Sequence, residues 1–296
     1  MLSELHRYTV RRLSGSPLTI ENPTRQSDLG DPLYGQPAAL VVAHPGHELR
    51  VHRWLELARP KVFVLTDGSG RTGHSRIAST STILESAQAH PAPIYGRFTD
   101  VELYDLILRE DAAALVDLMR ELAGEFLRDG VGGVVGDALE GFNPSHDLCR
   151  FLINGAVLLL RKETGRDALN FTFPLDGPPD GSGSQAGESA IRLDLDDEAL
   201  ARKLASASNY AALQSEVASA VSRFGTQAFA TEWLHPVLDP LEGLTRMREE
   251  PPQYERFGKG RVNDGFYAEA IGYRTHVRPL IQKAWRQAGL DFPETA

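Results

Sequence analysis

The feature that most constrains this chain is a pair of short, unbroken apolar runs. They are "AALVVAH" at residues 38–44 and "KVFVLTDGSG" at 61–70, with the helix-like "HELRVHRWLELA" between them. A strand covered on one face alternates apolar and polar side chains, whereas a run without alternation needs cover on both faces. Two such runs with a helix between them, in roughly thirty residues, are the size of a βαβ unit with parallel strands. The pattern continues downstream. "RIASTSTILESAQAH" (76–90) reads as a helix, and "PIYGRFTD" leaves room for a third strand. "YDLILREDAAALVDLMRELAGEFLRDG" reads as one long amphipathic helix, its apolar positions recurring at three and four. "VGGVVGDALEGFNPSHDLCRFLINGAVLLLRKE" gives strand, loop and apolar helix. This alternation predicts an α/β fold of Rossmann-like type, an open, mostly parallel sheet with helices on both faces.

Residues 1–36 are polar and turn-rich, an irregular lead-in, and 37–296 read as a single domain. "FPLDGPPDGSGSQAGES" (173–189) is dense in Pro, Gly and Ser, an exposed loop and the best candidate boundary or lid. Beyond it, "DDEALARKLASASNYAALQSEVASAVSRF" has an acidic start and a long helical pattern, with Asp196 or Asp197 as N-cap. "GYRTHVRPLIQKAWRQAGL" adds a last helix, so 190–296 is expected to form a mainly helical cover over one side of the cleft.

Charge narrows the partners. The chain has a formal net charge of −9 and no Lys/Arg block, so it lacks the electrostatic footprint of a nucleic-acid or anionic-membrane binder. A small-molecule ligand is the expectation; the oligomeric state stays open. Cys149 is the single cysteine, which excludes an intramolecular disulfide and any Cys-rich zinc module. A metal would have to be held by His and carboxylate. No stretch approaches the roughly twenty apolar residues of a membrane span, and the first twenty residues hold no signal-like apolar core. The expected location is cytoplasmic.

In open α/β sheets, ligands sit beyond the carboxyl ends of the strands. Three loops fall there: "HPGHE", "TDGSGRTGHS" and "DALEGFNPSHD". The first and third bring His44, His47 and His146, enough for three corners of a tetrahedral zinc with the fourth left for water. On spacing alone, helix-start histidines making ordinary hydrogen bonds are the competing reading. The glycine-rich loop fits neither the dinucleotide fingerprint nor the P-loop. Its Asp67 and Arg71, with His276 from the C-terminal part, are candidates to line a substrate cleft. Trp54 and Trp233 are expected as core anchors, and Cys149 as a buried thiol one turn into the apolar helix.

Several short motifs together carry a resemblance. "VVAHPGHE" resembles the Ala-His-Pro-Asp-Asp-Glu motif of the LmbE/PIG-L family of zinc-dependent N-acetylglucosaminyl deacetylases. "VLTDGSG" is similar to that family's second-strand motif, and "NPSHD" stands in the place of its His-Pro-Asp-His. "KLASASNYAALQSEV" and "TEWL" resemble its later helical and acidic-aromatic segments, in matching order from about residue 38 to 234. The resemblance implies a metal-dependent hydrolase, an N-deacetylase of an N-acylated amino sugar or sugar-like small molecule. It implies zinc, or another divalent metal, on His44 and His146, with His47 where the family has an aspartate ligand.

The departures are chemical. Gly46 stands at the family's general-base aspartate, Asn143 at an oxyanion-assisting histidine and Ser145 at an aspartate. Losing a positioned acid or base typically costs ~10²–10⁴ in rate. Among Glu48, Asp67, Asp137, Glu140, Asp147 and His276, the carboxylates Asp137 and Glu140 are the favoured substitutes, since their loop also carries His146. Asn143 is expected to donate to an oxyanion, and Gly46→Asp to raise the rate by supplying the base. The alternative is a metal- or ligand-binding relative without hydrolysis.

Overall fold

The computed structural model describes residues 18–20, 35–70, 72–180, 190–241 and 250–292; Arg71 lies outside them, as does most of the Pro/Gly/Ser-rich loop. Among the described residues eight strands form one sheet: β1 (Leu18–Ile20), β2 (Ala38–Val42), β3 (Lys61–Thr66), β4 (His90–Phe98), β5 (Gly133–Asp137), β6 (Leu169–Phe173), β7 (Ile191–Asp194) and β8 (Thr231–Pro236). Their order is β1-β7-β8-β6-β5-β2-β3-β4. All pairings are parallel except those of β8, which runs antiparallel to both neighbours.

All five residues of β2 are buried, which is why its run does not alternate. Ala39 and Val41 enter one core, with residues of α3 (Asp100–Leu108), α4 (Ala112–Arg128), α5 (Pro144–Thr164) and α9 (Arg278–Gln287). Leu40 and Val42 enter the other, with Trp54 and Leu55 of α1 (His52–Ala58) and Ile83 and Leu84 of α2 (Ile77–Ala87). Each fully buried Val, Leu or Phe contributes about 1.5–3 kcal/mol relative to exposure, so burial of this run dictates the layered architecture.

Connections from β2 to β3 and β4 run one way across the sheet, and those through β5 to β6 run the other. The order reverses between β2 and β5, which makes their carboxyl ends the switch point where sheets of this kind place ligands. Gly136 lets the two strands close up there. A Cβ on it would strike the Val41 carbonyl and Ile153 of α5.

Four expectations are corrected. The lead-in is not wholly irregular, because Leu18–Ile20 pairs in parallel with β7. The region after 190 contributes β7 and β8 as well as α6 (Asp197–Asn209), α7 (Gln214–Phe224), α8 (Gln253–Asn263) and α9. The long amphipathic run is two helices, not one. Glu110 takes a left-handed φ of 50° after α3, and the Asp111 side chain accepts the Ala114 N–H to cap α4. The downstream helical run is also two helices, parted at buried Tyr210 between α6 and α7, with Asp196 the N-cap of α6. Among the described residues no helix is long and apolar enough to cross a membrane.

Candidate metal centre

His44 and His47 follow β2, and His146 lies in the first turn of α5, after β5. The switch point therefore gathers all three. Their ring centroids are 5.3 Å (His44–His47), 5.1 Å (His44–His146) and 4.5 Å (His47–His146) apart. Imidazoles bound at ~2.0–2.1 Å to one tetrahedral ion have centroids roughly 5 Å apart, so the spacing is that of three ligands. Orientation is a separate matter. Among the described residues no group of three or more His, Cys, Asp and Glu side chains stands as a ready metal site, so the rings are spaced for a metal while their nitrogens do not yet converge.

The nitrogens themselves fit a cation. Among the described residues, His44 Nε2 and His146 Nδ1 are buried with no hydrogen-bond partner, a costly arrangement unless something fills it. The other nitrogen of His44, Nδ1, stands 2.7 Å from Thr66 Oγ1 and 2.9 Å from Asp100 Oδ1. His47 Nδ1 stands 3.0 Å from both oxygens of Asp137. A carboxylate or hydroxyl behind a ligating histidine fixes its orientation and raises its basicity.

Burial lowers the pKa of His44, with His47 adding to the effect and Asp100 opposing it. Burial also holds His146 well below its ordinary value, helped by the neighbouring His47 and His44. Neutral imidazole is the form that ligates. Burial alone would raise Asp100, but hydrogen bonding and charge from His44, with Thr66 and the Gly70 amide, outweigh it and keep Asp100 well below the usual carboxylate range.

The turn between the first two histidines is built around Gly46 and Glu48. Gly46 has φ 105° and ψ −17°, and its N–H donates to Glu48 Oε2 at 2.8 Å. Glu48 is fully buried and also accepts from Thr80 Oγ1 at 2.7 Å. It shapes the loop and does not face the cleft. A Cβ on Gly46 would lie 2.5 Å from Leu213 Cδ1.

The remaining candidates are redistributed. Asp137 is fully buried, and its Oδ2 also accepts the Ala43 N–H at 2.8 Å. Its carboxylate thus stands behind His47, held between that ring and the backbone of β2. Glu140 accepts the N–H groups of Leu175 and Asp176, while Arg50 donates to the Leu175 carbonyl. Burial pushes Glu140 up to about 7, against the two backbone donors and with help from Asp137 and Asp176. Asn143 caps α5, its Oδ1 accepting from Ser145 N at 2.8 Å and Tyr104 OH at 3.5 Å, which leaves its Nδ2 to donate elsewhere. Asp147 ties the same loop from Glu140 N and Gly141 N.

Asp67 accepts the Ser69 N–H inside its own loop. His276 does not join the cluster by any described contact. Its Nδ1 accepts from Gly272 N and its Nε2 lies 3.4 Å from Glu269, on its own segment. Trp54 is a core anchor as expected, but Trp233 is half-buried, stacked on His235 with the Arg192 guanidinium over its ring. Cys149 is a buried thiol.

Sequence reasoning missed Asp100 and Thr66. Asp100 sits at the start of α3 inside a capping box made by Thr99 and Glu102, where an acidic residue reads as a helix signal. It also missed the use of Lys203 and Glu232. Their side chains pair at 2.9 Å inside the protein, and the Glu232 carboxylate accepts the Arg53 and Trp54 N–H groups at the start of α1.

No protein-family model and no curated protein matches this sequence. Among the solved structures that resemble it are two deacetylases. One is a deacetylase triple mutant (Orf2*T) involved in the teicoplanin biosynthetic pathway, 13% identical, with a TM-score of 0.46 over 68% of this chain and 97% of that one. The other is the zinc-inhibited form of teicoplanin deacetylase Orf2, 12% identical, with a TM-score of 0.42 over 67% and 97%. The likeness is slight, and the functional reading rests on the histidine cluster.

Proposed function

We propose that the crevice between β2 and β5 is the centre of a divalent-metal amide hydrolase, an N-deacetylase of an N-acylated amino sugar or sugar-like small molecule, as the LmbE/PIG-L resemblance implies. His44, His47 and His146 would hold the metal, zinc in the first instance. The observation that carries this is three imidazoles at ligand spacing on the switch point, with unpartnered nitrogens on His44 and His146 and acidic side chains behind His44 and His47. A bound divalent ion supplies Lewis acidity toward an amide carbonyl and lowers the pKa of water. The protein's own part is to keep the His44 and His146 rings neutral by burial, to offer the Asn143 Nδ2 amide near a developing oxyanion, and to present Glu140 as the acid/base group of this loop. Its raised pKa, about 7, suits that role. The single buried cysteine suits a reducing cytoplasm.

One observation favours the second reading, a metal-binding relative without hydrolysis. Position 46 is held as glycine by its backbone and by Leu213, so no side chain stands where the resemblance places the base. Elemental analysis of the purified protein, beside a His146→Ala variant and an assay on N-acetylated amino sugars, separates the readings. About one metal per chain, lost in the variant together with acetate release, supports the hydrolase. Metal without acetate release favours the second reading, and no metal even after incubation with zinc ends both.

A further inference from the structure

We propose that Asp137 lets a histidine replace a carboxylate at position 47: it locks the imidazole as the Nδ1–H tautomer, leaves the Nε2 lone pair available to ligate, and places beside the ring the negative charge a carboxylate ligand would bring. The inference rests on the metal-centre reading above and concerns how this chain's own residues complete the site.

The geometry is specific. Both Asp137 oxygens lie 3.0 Å from His47 Nδ1. An ionised carboxylate only accepts, so the nitrogen facing it is the one that carries the hydrogen whenever the ring's other nitrogen ligates. Nε2, on the far side of that ring, then keeps its lone pair. The carboxylate is not free to swing away, because Oδ2 also takes the Ala43 N–H at 2.8 Å and the side chain is fully buried. Its strand end is fixed as well: Arg150, one turn past His146 on α5, donates Nε to the Asp137 carbonyl at 2.6 Å. The rest of that guanidinium bonds to Asn154, Asn170 and the Phe171 carbonyl.

Charge gives the arrangement its purpose. Three imidazoles bring no negative charge to a divalent ion, one fewer than two imidazoles and a carboxylate. Asp137 returns it from one ring further out. His44 has its own partners in Thr66 and Asp100, so its ring does not depend on Asp137.

The test is zinc affinity, measured by competition with a chelator, in four proteins: wild type, Asp137→Asn, His47→Asp and the double variant. The asparagine keeps an acceptor for the Ala43 N–H but offers a donor to the ring, favouring the wrong tautomer. Asp137→Asn is expected to weaken zinc binding ~10–100-fold in the wild-type background. In the His47→Asp background the same change is expected to leave affinity equal or higher, because no ring remains to be held and one of two close carboxylates is gone. An equal loss in both backgrounds, or no loss in either, would overturn the proposal. Wild type failing to bind zinc at all would instead sink the metal-centre reading. A measurement on the unmutated protein stands even if a variant does not fold. Imidazole ¹⁵N NMR of the metal-free protein should show His47 protonated on Nδ1 with Nε2 bare, and the opposite tautomer would also overturn the proposal.

Discussion

At Gly46 the backbone limits what a side chain can contribute. A φ of 105° belongs to glycine, and Leu213 fills the space a side chain would need. Gly46→Asp, expected from the sequence to supply a base, should therefore cost about 1–3 kcal/mol through strain alone and leave acetate release no higher than in wild type. Urea denaturation and the deacetylase assay on the same preparation check both halves. A faster enzyme of unchanged stability would show that the turn relaxes. Glu140 carries a second residue-scale expectation. Its carboxyl is raised to about 7 in the folded chain against an ordinary 4.5, so the fold binds a proton the unfolded chain has released. The contribution is full below about 4.5 and is lost as pH rises through about 7. Glu140→Gln keeps an acceptor for the Leu175 and Asp176 amides without the charge. Its melting temperature, relative to wild type, should rise steadily across that window, and a pH-independent difference would count against the raised pKa.

At the scale of elements, the start of α1 depends on a buried ion pair delivered from the other end of the chain. Lys203 of α6 donates to Glu232 of β8 and to the Arg50 carbonyl, and Glu232 in turn takes two α1 amides. Removing one member of such a pair leaves an uncompensated buried charge, which costs ~3–5 kcal/mol. Lys203→Met should lose about that much in chemical denaturation, and adding Glu232→Gln should recover part of it. Strict additivity of the two losses would show that the residues do not act as a pair. The motifs carrying these residues were legible in the sequence as a resemblance, but their job was not. Periodicity reports which face of a helix is apolar and says nothing of a lysine crossing to a strand far downstream. The same limit explains the two broken helices. Apolar positions resume directly after the first break, at Ala112, Leu115 and Val116, and Tyr210 itself is apolar in pattern, while the break is a left-handed Glu110 in one case and a buried phenol bonded to Thr80 and the Arg76 carbonyl in the other. The short strands β1 and β7 escaped notice because a run of three or four residues carries too little pattern to separate strand from coil.

Across the whole molecule, the parts legible in sequence are those that burial alone decides. The unalternating runs of β2, β3 and β5 forced a two-sided parallel sheet, and such a sheet has its crevice where the strand order reverses, so His44, His47 and His146 could be nominated together from loops far apart in the chain. Asp100 could not. Its tie to His44 crosses from the end of β4 to the end of β2, and only the tertiary fold brings them to 2.9 Å. This arrangement has a thermodynamic consequence. A metal held by His44 and His47 on one side and His146 on the other would join the β2 loop to α5 across the switch point, and an unfolded chain has no such site. Binding to the folded state alone stabilises by RT ln(1 + [L]/Kd), about 2.7 kcal/mol at a hundredfold excess over Kd. Thermal unfolding of chelator-treated protein should therefore shift upward with added zinc, by an amount that grows with the logarithm of its concentration. The shift should vanish in His44→Ala and in His146→Ala, which remove the two sides separately. A shift that persists in both variants would place the zinc elsewhere on the surface, and loss in only one would mean that the ion is held on a single side of the crevice and does not bridge it.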